Sequence, residues 1–152
     1  MPEVVISDSS CLIALTNAGH LQVLHQVYGA IVTTPEVVAE YGLALPEWIM
    51  VRSPKDRSMI ARFSEQVDQG EATAIALAME IDGSVLILDD WSARRLAADL
   101  SLPHTGTIGV LLKAKALGLI PRIAPVLEDL RKVNFRLSEE VITTALRLAG
   151  EI

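Results

Sequence analysis

The chain has 152 residues, which is enough for one domain with a buried core, and 51% of them are hydrophobic. Its net charge of -6 argues against a simple nucleic-acid-binding module with a basic surface, but not against a nuclease that gathers acids around a metal. Because no apolar run could span a membrane, Met1–Glu3 lacks the features of a signal peptide and Cys11 is the single cysteine, we expect a cytoplasmic protein with no membrane partner.

Strand-like and helix-like segments alternate along the chain, which is typical of α/β proteins with a parallel sheet. Continuous apolar runs at Val4–Ser7 and Val85–Leu88 predict buried strands. In chain order we predict a strand over 4–7, helices over 11–17 and 21–28, a strand over 30–33, a helix over 35–41, a strand over 48–51, helices over 58–68 and 71–81, a strand over 85–88, and helices over 92–100, 107–117, 124–133 and 138–148. We expect a single domain over 1–152, in which 121–152 form a C-terminal helical extension.

Acidic residues stand where these predicted elements begin or end. Asp8 follows the first strand, and Asp89 and Asp90 follow the strand over 85–88. Glu40 lies in the helix over 35–41, and Glu71 opens an alanine-rich helix. Side chains at the carboxyl ends of parallel strands can converge on one site, and crowded carboxylates repel one another unless a cation lies between them. Ligation by oxygen alone suits Mg²⁺ or Mn²⁺.

Each acid also has a purely structural explanation. Asp8 would cap the helix that follows, although the serines at 9 and 10 are predicted to do so. Asp89 and Asp90 would form a turn, and Glu40 would be a solvated helix residue. Glu71 is favoured at a helix start by the helix dipole alone. The pattern of all these acids is therefore more specific than any one of them.

Taken together, these segments resemble the PIN-domain family, the nuclease fold of many type II toxins. The resembling segments lie between residues 4 and 120 and are Val5–Leu15, Thr34–Glu40, Gly70–Ala78, Leu86–Asp90 and Gly106–Leu111. The Gly-Glu-Ala, Asp-Asp-x-x-x-Arg and Gly-Thr-x-Gly-x-Leu stretches, with Asn134–Ser138 and the helix after it, are most similar to a largely uncharacterised prokaryotic PIN subfamily.

The resemblance implies a three-layer α/β/α fold with a central parallel sheet and acids at the carboxyl ends of its strands. Asp8 matches the family's first catalytic aspartate, and Glu40 matches its helix-borne glutamate. Glu71 stands where many relatives have an aspartate. Asp89 and Asp90 together cover the acid after the fourth strand. Relatives often have Thr-x-Asp there, and this chain lacks the threonine, so which of the two aspartates faces the metal stays open.

The implied catalytic set is therefore Asp8, Glu40, Glu71, Asp89 and Asp90, and the implied metal ligands are all of these except Glu40. A divalent ion held by such carboxylates polarises a scissile phosphate and activates water.

Several further residues are candidates for positioning substrate or water. Ser9 is adjacent to Asp8, and Thr107 matches a family position that can position water. Arg94 and Arg95 follow Asp90 and can bind phosphate through their guanidinium groups. For Arg94, four residues after Asp90, an ion pair with that aspartate is an equal alternative.

From the resemblance we expect an endoribonuclease that hydrolyses RNA phosphodiester bonds, acting as the VapC-like toxin of a type II toxin–antitoxin system. Its partners would be RNA, a small antitoxin protein and a second copy in a homodimer. The net charge and the missing threonine leave open a catalytically inactive PIN-like protein-interaction module. A receiver-like phosphate-accepting domain is weaker, because no convincing strand-end lysine is present, and no histidine has the spacing of a zinc site.

Overall fold

The computed structural model describes residues 4–152, so Met1–Glu3, on which the signal-peptide expectation rests, lie outside the described residues. The strands are β1 (Val4–Ser7), β2 (Ile31–Thr33), β3 (Ile49–Val51), β4 (Ser84–Ile87) and β5 (His104–Thr105). The helices are α1 (Ser9–Asn17), α2 (Gln22–Tyr28), α3 (Pro35–Tyr41), α4 (Ile60–Phe63), α5 (Gln69–Glu80), α6 (Trp91–Asp99), α7 (Thr107–Ala116), α8 (Ala124–Lys132) and α9 (Glu139–Leu148).

The five strands form one parallel sheet in the order β3-β2-β1-β4-β5. Strand β1 lies at the centre, and its register with β4 pairs Ile6 with Leu86 and Ser7 with Ile87. The chain leaves β1 towards β2 on one side and later returns to the other side as β4. The crevice at the carboxyl ends of β1 and β4 is therefore the point where the strand order reverses, which is where open α/β sheets place ligand sites.

Helices cover both faces of the sheet, because successive strand residues point to opposite sides. Val5 and Ile87 pack on the face covered chiefly by α1, α2, α7 and α8. Ile6 and Leu86 pack on the opposite face, which is covered by α4, α5 and α6. This arrangement confirms the predicted three-layer α/β/α fold with a central parallel sheet.

The predicted elements agree with the structure to within two residues at either end, with two exceptions. The helix predicted over 58–68 is wrong in extent, since only α4 forms there. Asp68 has an extended backbone, with φ -69° and ψ 168°, because it caps α5. Strand β5 was not predicted, because His104 and Thr105 carry no apolar pattern that could reveal a strand.

The prediction that Ser9 and Ser10 cap the first helix is also wrong. The Asp8 side chain accepts the hydrogen bond from the Cys11 backbone N–H, at 3.3 Å, so the helix begins at Ser9. Both serines consequently lie in the first turn of α1. Asp8 is thus a helix cap and, as shown below, a member of an acidic site.

The C-terminal helices pack on the domain through apolar side chains and one buried carboxylate. Val126, Leu127 and Leu130 of α8 are buried in the core. Glu151 accepts hydrogen bonds from the backbone N–H of Ile123 at 2.7 Å and from Lys115 Nζ at 3.0 Å. Within residues 4–152, no helix has the length and hydropathy that crossing a bilayer requires.

Candidate active site

Two aspartates flank the crevice between β1 and β4. Asp8 directly follows β1, and its backbone N–H donates to the carbonyl of Ile87 in β4 at 3.2 Å. Asp89 follows Leu88, whose N–H donates to the carbonyl of Thr105 at 2.8 Å. Parallel pairing therefore holds both residues at the same edge of the sheet. The structure brings these two predicted site residues together as the strand-end argument anticipated.

Asp8 is fully buried, and only one of its carboxyl oxygens has a partner in the described chain. Oδ1 caps α1, whereas Oδ2 has no hydrogen-bond donor among residues 4–152. Burial raises the pKa of Asp8 well above its ordinary value, and the charges of Asp89, Glu71 and Asp68 raise it further. A buried carboxyl oxygen without a donor costs free energy unless a proton or a cation compensates it.

Asp89 is held by Thr107 at the start of α7. The Thr107 backbone N–H donates to Oδ1 at 2.8 Å, and its hydroxyl donates to Oδ2 at 2.6 Å. Burial raises the pKa of Asp89, while the two Thr107 hydrogen bonds and the charge of Arg94 oppose this shift. Gly106 permits the close approach, because a Cβ there would lie 2.9 Å from Asp89 Oδ1 and 2.8 Å from Arg94 Nη1.

Glu71 lies in the first turn of α5, where it completes a capping box with Asp68. Asp68 Oδ1 accepts from the Glu71 N–H at 2.8 Å, and Glu71 Oε1 accepts from the Asp68 N–H at 3.1 Å. Burial, followed by the charges of Asp68 and Asp90, raises the pKa of Glu71 to about 7. Glu71 therefore binds a proton near neutral pH more readily than an ordinary glutamate does when no cation is bound.

Asp68 is a site residue that sequence reasoning missed. Its charge raises the pKa of three other acids: Asp8, Glu40 and Glu71. The signal was present, because Asp68-Gln-Gly-Glu71 has the spacing of a capping box. The prediction of a continuous helix over 58–68 hid it.

Asp90 differs from Asp89 in exposure and in contacts. It is exposed and caps α6, with Oδ2 accepting from the N–H groups of Ser92 at 3.0 Å and Ala93 at 3.3 Å. It lines a polar cleft together with Asp68 and Glu71. Asp89 thus faces Asp8, and Asp90 stands on the Glu71 side. We refer to Asp8, Asp68, Glu71, Asp89 and Asp90 as the acid cluster.

Glu40 approaches the acid cluster from the last turn of α3. Its side chain is exposed, and burial together with the charge of Asp68 raises its pKa, while Ser9 opposes this shift. Its carboxyl group lies against Gly70, where a Cβ would overlap Glu40 Oε1. The Glu40 carboxyl group can therefore occupy this position only because residue 70 has no side chain. Ser9, which we predicted to position substrate or water, directly follows Asp8 and is buried in the first turn of α1.

The two candidate arginines occupy different environments. Arg94 Nη1 donates to the carbonyl of Leu88 at 3.0 Å, so the guanidinium turns towards the end of β4 and Asp89. Its link to Asp90 is the backbone hydrogen bond of the helix, at 3.0 Å, in place of the side-chain pair considered above. Arg95 lies further out, with its guanidinium 5.2 Å from the centre of the Trp91 ring.

The carboxylates interact electrostatically without forming a closed ligand set. Within residues 4–152, no three Asp, Glu, His or Cys side chains converge closely enough to hold a metal ion as they stand. The donor set of the acid cluster is nevertheless all oxygen, and one buried Asp8 oxygen lacks a donor in this part of the chain. Both features suit a hard divalent cation.

A family model described as a PIN domain matches residues 4–151, nearly the whole chain. No curated protein matches the chain.

Proposed function

The chain belongs to the PIN-domain family, whose members are generally nucleases, and from that premise we propose that it is a Mg²⁺- or Mn²⁺-dependent endoribonuclease. The observation that carries the proposal is the buried Asp8 oxygen, which has no donor in the described chain and is surrounded by carboxylates. An acidic residue kept in this state costs stability, and a functional site is where proteins retain such a cost.

The acid cluster supplies the residues that would hold a divalent cation. Asp8, Glu71, Asp89 and Asp90 are the proposed ligands, and Asp68 joins them because it borders the same cleft as Glu71 and Asp90. When bound, the cation polarises the scissile phosphate and lowers the pKa of water. Asp8 Oδ2, which has no hydrogen-bond donor among residues 4–152, fits such an ion, and so do the carboxylate oxygens of the acid cluster.

The remaining residues act on the carboxylates, the substrate or water. Thr107 fixes both oxygens of Asp89, so that this carboxylate does not rotate away. Glu40 and the neighbouring Ser9 border the cluster, and they are proposed to orient water for attack. Arg94 and Arg95 are proposed to bind phosphate groups of the substrate, since guanidinium groups suit phosphate geometry.

Asp8→Asn tests the proposal without removing the helix cap, because the asparagine oxygen can still accept from the Cys11 N–H. The purified variant is expected to melt close to the wild-type temperature and to lose metal-dependent cleavage of a labelled RNA. Asp82→Asn, in an exposed turn just before β4 and so at the opposite end of that strand from Asp89, serves as the matched control and should cleave normally. Cleavage by Asp8→Asn at the wild-type rate would contradict the site assignment.

The biological part of the proposal is that the protein is a toxin, paired with a small antitoxin protein and acting as a homodimer. It rests on the resemblance to toxin ribonucleases and on the family membership. Expression of the wild-type chain should arrest growth, and expression of Asp8→Asn should not. Light scattering of the purified chain tests the dimer. Absence of growth arrest from a chain that cleaves RNA in vitro would separate the nuclease from the toxin role.

A further inference from the structure

One of the two tryptophans stands exposed beside the acid cluster. Trp48 is half-buried and stacks on His25 with ring centres 5.1 Å apart, whereas Trp91 is 68% exposed. An indole left largely open to water forgoes the free energy of burial. An exposed aromatic ring at a candidate site therefore indicates a binding role, whereas single exposed leucines are common on protein surfaces.

Trp91 opens a groove that begins at the acids. It directly follows Asp90 and lines the groove together with Asp89, Arg94, Asn134 and Arg136. The open groove has a volume of about 1040 Å³, at the upper end of the range for small-molecule sites.

The groove combines an aromatic ring with guanidinium groups. Arg95 lies over the Trp91 ring at 5.2 Å, and Arg94 and Arg136 line the same groove. Aromatic rings that stack bases, together with cations that contact phosphates, are the features by which proteins bind single-stranded nucleic acid. Most of the indole remains open even with Arg95 beside it, as the exposed fraction shows.

We propose that Trp91, supported by Arg95, is a platform on which an unpaired base of an RNA strand stacks while the adjoining phosphate lies at the acid cluster. This inference deepens the proposed nuclease function and rests on it. It assigns Trp91 a role in positioning the strand, which a base held in a duplex could not use without unpairing.

A protein helix is the competing occupant. The far wall of the groove carries the exposed apolar side chains of Val141 and Leu148 from α9. Asp89, Asp90 and Glu140 also line the groove, but the guanidinium groups of Arg94 and Arg95 lie at its Trp91 end. A polyanion gains from these cations beside the ring, and an apolar helix does not. Binding of a protein at Trp91 is thus an outcome that the experiment must distinguish.

The test uses the fluorescence of Trp91 in the full chain. Both test proteins carry Asp8→Asn, which is expected to prevent cleavage. The first also carries Trp48→Phe, so that Trp91 is its sole tryptophan, and the second carries Trp91→Phe, so that Trp48 is its sole tryptophan. Addition of a short unstructured oligoribonucleotide should quench the first protein saturably and leave the second unchanged. A duplex of the same sequence should quench far less. Equal responses of the two proteins, or no response of Trp91 to RNA that binds by filtration, would overturn the platform.

A second measurement separates this inference from the nuclease proposal. Trp91→Ala should weaken binding of the single strand by about 5- to 150-fold, the range for loss of one stacked base, and should raise KM more than it lowers kcat. Trp91→Phe should retain most of the affinity. If cleavage depends on Asp8 but KM is unchanged in Trp91→Ala, the platform is wrong and the nuclease stands. If Trp91→Ala instead abolishes self-association and leaves RNA binding intact, the surface binds protein. Quenching without any wild-type cleavage would retain the platform and reject the nuclease.

Discussion

Thr107 donates two hydrogen bonds to Asp89, one from its backbone N–H to Oδ1 at 2.8 Å and one from its hydroxyl to Oδ2 at 2.6 Å. Eighteen residues separate the two partners, and both oxygens of the carboxylate are engaged. The pair joins the end of β4 to the start of α7 across Gly106, the residue whose missing side chain lets them meet. Asp89 therefore reaches the crevice in a single orientation, which is how a supporting residue tunes a ligand.

Replacement of Thr107 by valine should weaken the site more than the fold. The valine keeps the shape and the backbone N–H but removes the hydroxyl bond, which lowers the pKa of Asp89 in the wild type. We expect cleavage or Mn²⁺ affinity to fall on the order of 10- to 100-fold, and the free energy of unfolding to fall by about 1–3 kcal/mol. Thr107→Ser retains the hydroxyl and should recover most of the activity. Wild-type cleavage by Thr107→Val would show that the backbone bond alone suffices.

Gly70→Ala should displace Glu40 without unfolding the protein. A Cβ at residue 70 would overlap Glu40 Oε1 and lie 2.9 Å from its Cδ, but that carboxyl is the end of a flexible side chain and can rotate away. Alanine also favours a helix over glycine by about 1 kcal/mol, so the melting temperature should hold or rise. Cleavage should nevertheless fall to the level of Glu40→Gln.

A double-mutant cycle checks this explanation of Gly70. In a Glu40→Ala background the overlapping carboxyl group is gone, so Gly70→Ala should cause no further loss of cleavage. An additional loss in the double variant would mean that residue 70 acts through other atoms, such as Val37 Cγ2 at 3.3 Å. Full activity of the single Gly70→Ala variant would contradict a role for the position of Glu40.

The sequence located the candidate site residues that stand at the ends of strands. It did not show in which direction a neighbouring side chain points. Apolar runs located β1 and β4, and their parallel pairing then placed Asp8 and Asp89 together. The spacing of Arg94 from Asp90 equally well predicted an ion pair, but the side chain turns back to the free carbonyl of Leu88. The direction of the Arg94 side chain depends on which backbone carbonyl of the sheet can still accept a hydrogen bond. A local sequence pattern does not indicate this.

Asp68 shows a different limit of sequence reasoning. A helical pattern was extended through residues 58–68, so the capping residue of α5 was assigned to the middle of a helix. Local propensity could not show that Asp68 lies beside Glu40 and Asp8, because these residues come from separate elements and meet only through packing. The number of acids at the site was therefore underestimated.

Asp68→Asn separates the cap from the charge. Asparagine is as good a helix cap as aspartate and can accept from the Glu71 N–H, so stability without metal should be retained. Loss of the negative charge should lower the pKa of Glu71 and weaken Mn²⁺ binding, measured by calorimetric titration. Asp68→Ala, which also loses the cap, should unfold more readily by about 1 kcal/mol. Wild-type Mn²⁺ affinity in Asp68→Asn would restrict Asp68 to the capping role.

The raised pKa of Glu71 gives stability a definite dependence on pH. Burial and the neighbouring aspartates raise its pKa from 4.5 to about 7, so the folded protein binds this proton more tightly than the unfolded chain does. The stabilisation is complete below pH 4.5 and is lost as the pH rises through 7. Asp56 and Glu80 have lowered pKa values, so their contributions are already complete in that interval and do not offset the loss.

The melting temperature of the metal-free protein should therefore fall between pH 4.5 and 7, and Mn²⁺ should restore it increasingly as the pH rises, because the cation replaces the proton. Glu71→Gln preserves the capping box and cannot titrate, so its melting temperature should fall less over the same interval. The remaining slope of that variant reports Asp8, Glu40 and Asp89, whose pKa values are raised in the same direction. Calorimetric melting of both proteins across this pH range decides the matter, since parallel curves would mean that Glu71 does not carry the effect.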